Sequence, residues 1–250
     1  MAGEAVSIAL LYPELLGTYG DGGNALVLAQ RLRWRDIPAE IVDITAGEPV
    51  PSTCDVYLMG GGEDAPQALA VRELRVSRAL TRAVDGGAAV LAVCAGYQVL
   101  GRQFLGPDGR PHTGLGMIDA ATDRGDGPRR VGELVVEPDP DLGLPTLTGY
   151  ENHAGITSLG SNARPLGQVI VGHGNDHGDG SEGAVAGRIV GTYLHGPVLA
   201  RNPALADLIL SWVAGPLEPL EDEEVDALRQ ERIASARRSH PLAARRARAT

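Results

Sequence analysis

Two residues in this sequence pair a reactive side chain with a setting suited to reaction: Cys94 and His195. Cys94 lies between a fully apolar run, AAVLAV (88–93), and a segment of helical character that begins at once, AGYQVLG. A sharp strand-to-helix turn at that point lifts the thiol to the carboxyl edge of a sheet and aims the first free helix N–H groups at it. Those dipoles favour the thiolate, which is the attacking form of cysteine. Ala92, Ala95 and Gly96 are small enough for so cramped a turn. Cys54 precedes a strand, has no such turn beside it, and reads as a buried structural thiol. Two cysteines alone make neither a disulfide framework nor a zinc site.

His195 closes a buried run, RIVGTYL, and precedes Gly-Pro, which places it at a strand end or loop above the sheet. Its distance from Cys94 in sequence is no obstacle, because Cys–His pairs meet in space. The residue pattern alone fits a catalytic base and a hydrogen-bonded loop histidine equally. Gln98 lies one helical turn past Cys94, where its amide can face the same pocket and pair with an amide substrate. His173 and His177 stand in a Gly-rich loop, HGNDH, without the helical spacing or neighbouring cysteines of a metal site, so no metal is expected.

These residues need elements to hold them. VSIALLY (6–12), EIVDI (40–44), DVYLMGGG (55–62) and AAVLAV (88–93) read as strands. GNALVLAQRLRWR (23–35), residues 65–84 and GYQVLGRQF (96–104) read as helices between them. Such alternation predicts an α/β fold, a flavodoxin-like parallel sheet with helices on both faces. Residues 106–185, rich in Gly, Pro and Asp, predict antiparallel strands and long loops on one edge of that sheet, with GELVVEP (132–138) and GQVIVG (167–172) as strands. AVAGRIVGTYLHGP (184–197) is a strand-turn segment, and NPALADLILSWVAG (202–215) is a helix with an Asn cap. The expected division is a main domain over 1–215 and a charged, Arg-rich helical tail over 216–250. Acidic residues at its start and Arg at its end match the helix dipole, so the plain expectation is a solvated helix.

Composition narrows the chemistry. The 250 residues carry a formal net charge of -10, which argues against a general nucleic-acid binder. There is no Lys in the chain. Walker-type phosphate loops, Schiff-base lysines and Ser-Lys dyads are thereby excluded, and ATP, if the pathway consumes it, is expected on another chain. Aromatics are only 4%, so the core is built from Ala, Val, Leu and Ile, which suits buried parallel strands. No apolar segment reaches the length of a membrane span, the N-terminus lacks a signal-peptide pattern, and the cytoplasm is the expected location.

The order and spacing of several motifs carry a resemblance. CAGYQVLG (94–101) after a strand, GGGED (60–64) upstream and GTYLHGP (191–197) downstream resemble a class I glutamine amidotransferase. The branch resembled is the cobyric acid synthase-like one, in which the His is followed by Gly. Narrower still, LGTYGDGGNALVLAQR (16–31), GLGMID (114–119), RRVGEL (129–134) and GYENHAG (149–155) are similar to the glutaminase subunits of lipid II isoglutaminyl synthases, the GatD type. The resemblance implies the class I amidotransferase fold, Cys94 as nucleophile and His195 as base. It also implies an oxyanion hole from Gly61, or a neighbouring Gly, and Ala95. Arg129, with Arg130 as fallback, and Gln98 would bind substrate, and His153 would line the pocket or face a partner.

In much of the wider family a Glu stands two residues after the His; here that residue is Pro197. Either another carboxylate of this chain or one from a partner must then orient the imidazole. The resemblance favours the partner, a Mur-ligase-like synthetase subunit (MurT type) that would hold ATP and Mg, with no cofactor in this chain. It implies that the chain alone hydrolyses L-glutamine poorly, and that the ammonia amidates D-glutamate of lipid II in peptidoglycan synthesis. The rival functions are amidation of a cobalamin precursor and a non-catalytic regulatory subunit of the same fold.

Overall fold

Apolar runs too short to be helices and unbroken by polar residues must be buried on both faces, and they form the centre of the main sheet. The computed structural model describes residues 4–17, 20–62, 64–106, 108–125 and 127–239. Strands β1 (Val6–Leu11), β2 (Ala39–Ile44), β3 (Val56–Met59), β4 (Ala89–Val93), β13 (Ala184–Ala186) and β14 (Ile189–Thr192) make a six-stranded sheet in the order β13-β14-β4-β3-β1-β2. All neighbours are parallel except β13, which pairs antiparallel with β14. Every residue of β3 and β4 is buried. Helices α1 (Gly23–Arg33) and α6 (Pro203–Ala214) pack on each other and on this sheet, and α2 (Asp64–Ser77) packs with α4 (Ala95–Leu100), which covers β4 and β14. The α/β architecture expected from the alternation is thus the one observed.

Several boundaries differ from the expectation, each for a local reason. The helical stretch expected over 65–84 is two helices, α2 and α3 (Ala79–Asp85), because Arg78 between them adopts φ 50, a left-handed conformation that breaks the ladder. The helix expected to run to residue 104 stops at Leu100. Gly101 turns extended, Arg102 N–H donates to Ala120 O at 2.7 Å, and the chain continues as β5 (Gln103–Leu105).

The middle strands do not lie along one edge of the main sheet. β5, β6 (Pro111–Thr113), β7 (Ala120–Arg124) and β10 (Gly155–Leu159) form one four-stranded sheet. β8 (Arg130–Pro138), β9 (Leu147–His153), β11 (Gly167–Val171) and β12 (Ser181–Glu182) form another. β8 and β9 pair from Arg130↔His153 to Val136↔Leu147, so their backbone groups are satisfied locally and only β13 extends the main sheet. Asn202 precedes α6 but does not cap it through its side chain. Instead its amide accepts from Thr148 N–H and donates to Thr148 O and Val198 O, tying β9 to α5 (Val198–Arg201).

The helix of the charged segment, α7 (Glu223–Ser239), is more than a solvated rod. Ile233 and Ala236 pack with Val135 and Val171 in a small apolar cluster, and Arg229 donates to Thr146 O. Arg31 of α1, 3% exposed, makes paired bonds to Asp207 of α6 and to Asp222 just before α7, anchoring the segment on the main body. Residues 240–250, the Arg-rich end of the tail, lie outside the described residues, as does Glu63 of the GGGED motif.

Gly96, two residues past Cys94, marks the closest packing of α4 on β3. A Cβ there would lie 2.7 Å from Met59 Cβ and 2.9 Å from Met59 O. Gly96→Ala is expected to cost about 1–3 kcal/mol, as overpacked cores do, in a urea melt. A variant as stable as wild type would mean that α4 can shift outward at no cost.

Candidate active site

The backbone at Cys94 is bent into φ 52, ψ −106, outside the ordinary regions for a residue with a side chain. Three bonds hold it there. Cys94 N–H donates to Thr192 O at 2.8 Å, Gln98 N–H to Cys94 O at 3.0 Å, and Gly96 N–H to Gly60 O at 3.2 Å. The strand-to-helix turn expected from the sequence is therefore present, with the thiol at the rim of a cavity of about 170 Å³. That volume, below the range for drug-sized ligands, suits a small substrate. A larger cavity of about 280 Å³, between α7 and β8, β11, contains neither Cys94 nor His195.

His195 is buried just beyond β14, its backbone pinned to β9 by reciprocal bonds with Tyr150 at 2.8 and 3.1 Å. Its Nδ1 faces Asp21 Oδ2 at 3.2 Å, and Asp21 is itself 2% exposed. Burial works against a charged imidazole, but the Asp21 carboxylate and the adjacent Cys94 thiol outweigh it and push His195 up to about 9. Asp21, from the loop before α1, is the carboxylate of this chain that stands beside the imidazole. Pro197, where the wider family has Glu, packs against this same loop; a Cβ on Gly23 would meet Pro197 Cγ at 2.4 Å. Asn24 Oδ1 accepts from Leu199 N–H at 3.0 Å, closing the loop onto the turn that follows His195.

A second buried carboxylate shapes the approach to His195. Glu182 Oε1 accepts from Thr192 Oγ1 at 2.7 Å and from Tyr193 N–H at 2.8 Å, and Thr192 Oγ1 accepts from Leu194 N–H. Burial pushes the Glu182 carboxyl up to about 7, although those donors favour the ionised form.

The cavity brings together Cys94, Ala95, Gln98, Arg129 and His153 from the sequence candidates. Ala95 opens α4, where an N–H has no intrahelical carbonyl to take it. Gly61 gives its N–H to Asp21 Oδ2 at 2.9 Å, and its neighbour Gly62 is the glycine that lines the cavity. Arg129 donates through Nε to Asn152 Oδ1 and through Nη2 to Asn152 O at 3.0 Å, and Asn152 O in turn lies 4.0 Å from Cys94 Sγ. Arg130 pairs with Asp176 and does not line the cavity. His153 stacks on Tyr193 with ring centroids 3.8 Å apart. His173 bonds to Glu151 through Nδ1, and burial raises the Cys54 thiol away from the cavity.

Asp21, Gln67, Asp123, Arg124 and Glu182 were not singled out from the sequence. Asp21 lies in a Gly-rich loop, which carries no periodic signal, and only its place within the stretch LGTYGDGGNALVLAQR (16–31) marked it. Chemically, the arrangement is a thiol on a strained turn beside an imidazole held by a carboxylate, in a small polar cavity. That is the equipment for acyl transfer through a thioester.

Residues 7–203 match the CobB/CobQ-like glutamine amidotransferase domain. The chain is 37% identical over 216 residues to subunit GatD of the lipid II isoglutaminyl synthase (glutamine-hydrolyzing) of Staphylococcus aureus, covering 85% of this chain and 86% of that one. It is 36% identical over 168 residues to a cobyric acid synthase of Brucella canis, covering 63% of this chain but 32% of that protein. The crystal structure of a glutamine amidotransferase superposes with a TM-score of 0.55 at 20% identity, covering 84% of this chain and all of that one, a likeness of fold.

Asp21→Asn is expected to lower kcat/KM for the thiol-dependent reaction by roughly a hundredfold or more, because an amide N–H facing Nδ1 favours the wrong tautomer. The alkaline limit, set by loss of the His195 proton near 9, should move toward the ordinary 6.5. An unchanged pH–rate profile would remove Asp21 from the catalytic group.

Glu182 tests a second pH effect. Its folded value lies above the ordinary 4.5, so the folded state keeps the proton longer and stability falls as pH rises from 4.5 to about 7. His195 adds a like decline between 6.5 and about 9. Glu182→Gln keeps an acceptor for Thr192 and Tyr193. Its Tm relative to wild type should therefore climb between pH 4.5 and 7 and level off above. A constant difference in Tm across that window would contradict the assignment.

Proposed function

The chain belongs to the CobB/CobQ-like glutamine amidotransferase family, and from that membership we propose that it is the glutaminase subunit of a lipid II isoglutaminyl synthase. The observation that carries glutamine hydrolysis is Cys94 on its strained turn beside the His195–Asp21 pair. The extent of similarity supports the narrower assignment, since the match spans most of the GatD subunit but about a third of the cobyric acid synthase.

In the proposed reaction the Cys94 thiolate attacks the side-chain carbonyl carbon of L-glutamine. The developing oxyanion takes hydrogen bonds from Ala95 N–H and from a glycine of the 60–62 turn, an interaction worth on the order of a hundredfold in rate per donor. For Gly61 to serve, its N–H must leave Asp21; Gly62 already borders the cavity. The His195 imidazolium gives its proton to the departing nitrogen, the C–N bond breaks, and ammonia leaves a γ-glutamyl thioester. His195, now neutral, takes a proton from water, and the hydroxide cleaves the thioester to glutamate and the free thiol. Asp21 orients the imidazole and stabilises its charge through both steps. Arg129 and Gln98 bind substrate, the guanidinium suiting the α-carboxylate.

Ammonia released into water at neutral pH becomes mostly ammonium, which is no nucleophile, so a channel to a second active site belongs to the proposal. That site lies on a Mur-ligase-like partner (MurT type), which binds ATP and Mg and amidates D-glutamate of lipid II. Among the described residues no helix is long and apolar enough to cross a membrane, in keeping with a cytoplasmic subunit. Because Asp21 stands beside His195, the isolated chain is expected to react with glutamine analogues, with the partner adding the channel and raising turnover.

The test is incubation of the purified chain, with and without that partner, with 6-diazo-5-oxo-norleucine, followed by mass spectrometry of the peptides. One adduct on Cys94 in the isolated chain, absent in Cys94→Ala, is the expected outcome. No adduct in a folded sample under either condition would overturn the glutaminase reading in favour of a non-catalytic subunit.

A further inference from the structure

One wall of the catalytic cavity is a chain of hydrogen bonds whose direction is fixed at one end. Gln67 of α2, 1% exposed, places Nε2 at 3.3 Å from Ala95 O and 3.0 Å from Gln98 Oε1. A backbone carbonyl only accepts, so the end of the Gln67 amide facing Ala95 must be its NH₂ group. The same NH₂ group then donates to Gln98, which must present its oxygen to Gln67 and its NH₂ to the other side. There Gln98 Nε2 donates to the Tyr193 hydroxyl at 3.2 Å. Tyr193 is buried, and its hydroxyl shares a further hydrogen bond with Thr157 Oγ1 at 2.7 Å, in which either oxygen can donate; Thr157 shares another with Thr122 Oγ1 at 2.8 Å. The orientation of both amides is thereby committed, and the run ends at Thr122, which lines the cavity as Gln67 and Gln98 do.

We propose that Gln67 is a positioning residue that sets the hydrogen-bond polarity of this wall, so that Gln98 presents a hydrogen rather than a lone pair to the substrate. The second Nε2 hydrogen of Gln98 is the donor left uncommitted by the chain. Arg124 and Arg129 line the same cavity, with Asp123 as its carboxylate. The wall is therefore built for an acceptor group of the ligand, a carboxylate or an amide oxygen. Reversing one amide would turn Gln98 oxygen toward the ligand and set acceptor against acceptor. This inference rests on the reading of the cavity as a glutamine site.

Two substitutions separate polarity from packing. Gln67→Glu keeps the shape but ionised can only accept, so it repels Ala95 O and forces Gln98 to turn its NH₂ inward. Gln67→Leu removes the hydrogen bonds and leaves Gln98 free to take either orientation. Polarity control predicts that KM for L-glutamine rises more in the Glu variant than in the Leu variant, by roughly tenfold to a hundredfold for Glu. Space filling predicts the reverse order, because Glu is the isostere. Alkylation of Cys94 by iodoacetamide, which needs no glutamine recognition, should stay within about twofold of wild type in both, and it reports a folded site independently of substrate binding.

The proposal is overturned if Leu is the worse variant, if KM does not change, or if iodoacetamide reactivity falls in step with glutamine affinity. Wild-type protein that reacts with iodoacetamide but not with 6-diazo-5-oxo-norleucine would instead refute the glutamine reading on which the inference stands.

Discussion

A thiol is useful to this fold only if it is presented at the sheet edge, and that depends on Cys94 holding φ 52 where a residue with a Cβ is disfavoured. Such a conformation costs on the order of 1–3 kcal/mol and persists only where the surroundings over-determine it. The bonds to Thr192 and Gly60 and the tight seat of Gly96 on Met59 supply that constraint from two neighbouring strands. Because β4 lies between β3 and β14, the strand that ends in Cys94 is gripped on both sides, and the parallel order of the sheet brings β14, with His195 just past its end, to the same edge.

Two buried carboxylates then divide the work around His195. Asp21 faces the imidazole and holds it charged, in concert with the thiol, against the burial that would neutralise it. Glu182 gathers Thr192 and Tyr193 and so fixes the backbone from which His195 emerges. The first carboxylate is matched by a cationic partner. The second sits among neutral donors, and burial pushes it toward the protonated form.

The same economy appears in the cavity wall, where a backbone carbonyl at Ala95 dictates the orientation of two amides. The carbonyl belongs to the residue whose N–H opens α4. The turn that strains Cys94 therefore does three things: it sets the thiol against the cavity, frees an N–H and orients the amides of Gln67 and Gln98.

Sequence by itself determined the alternating α/β order, the buried strands, the turn at Cys94 and the family, because these rest on local periodicity and on short motifs whose residue types have direct conformational reasons. It also picked out Cys94, Gln98, Arg129 and His153, which share the cavity, and His195 beside it. Only the tertiary structure decided that Asp21 stands beside His195, since 174 positions separate them and a Gly-rich loop carries no period from which its partner can be read. The separate sheets of the middle region and the anchoring of α7 through Arg31 and Ile233 were likewise beyond local reading. Pairing between distant strands, and the burial of a charge against a distant carboxylate, are properties of a register and an interface, and neither exists until the chain has folded.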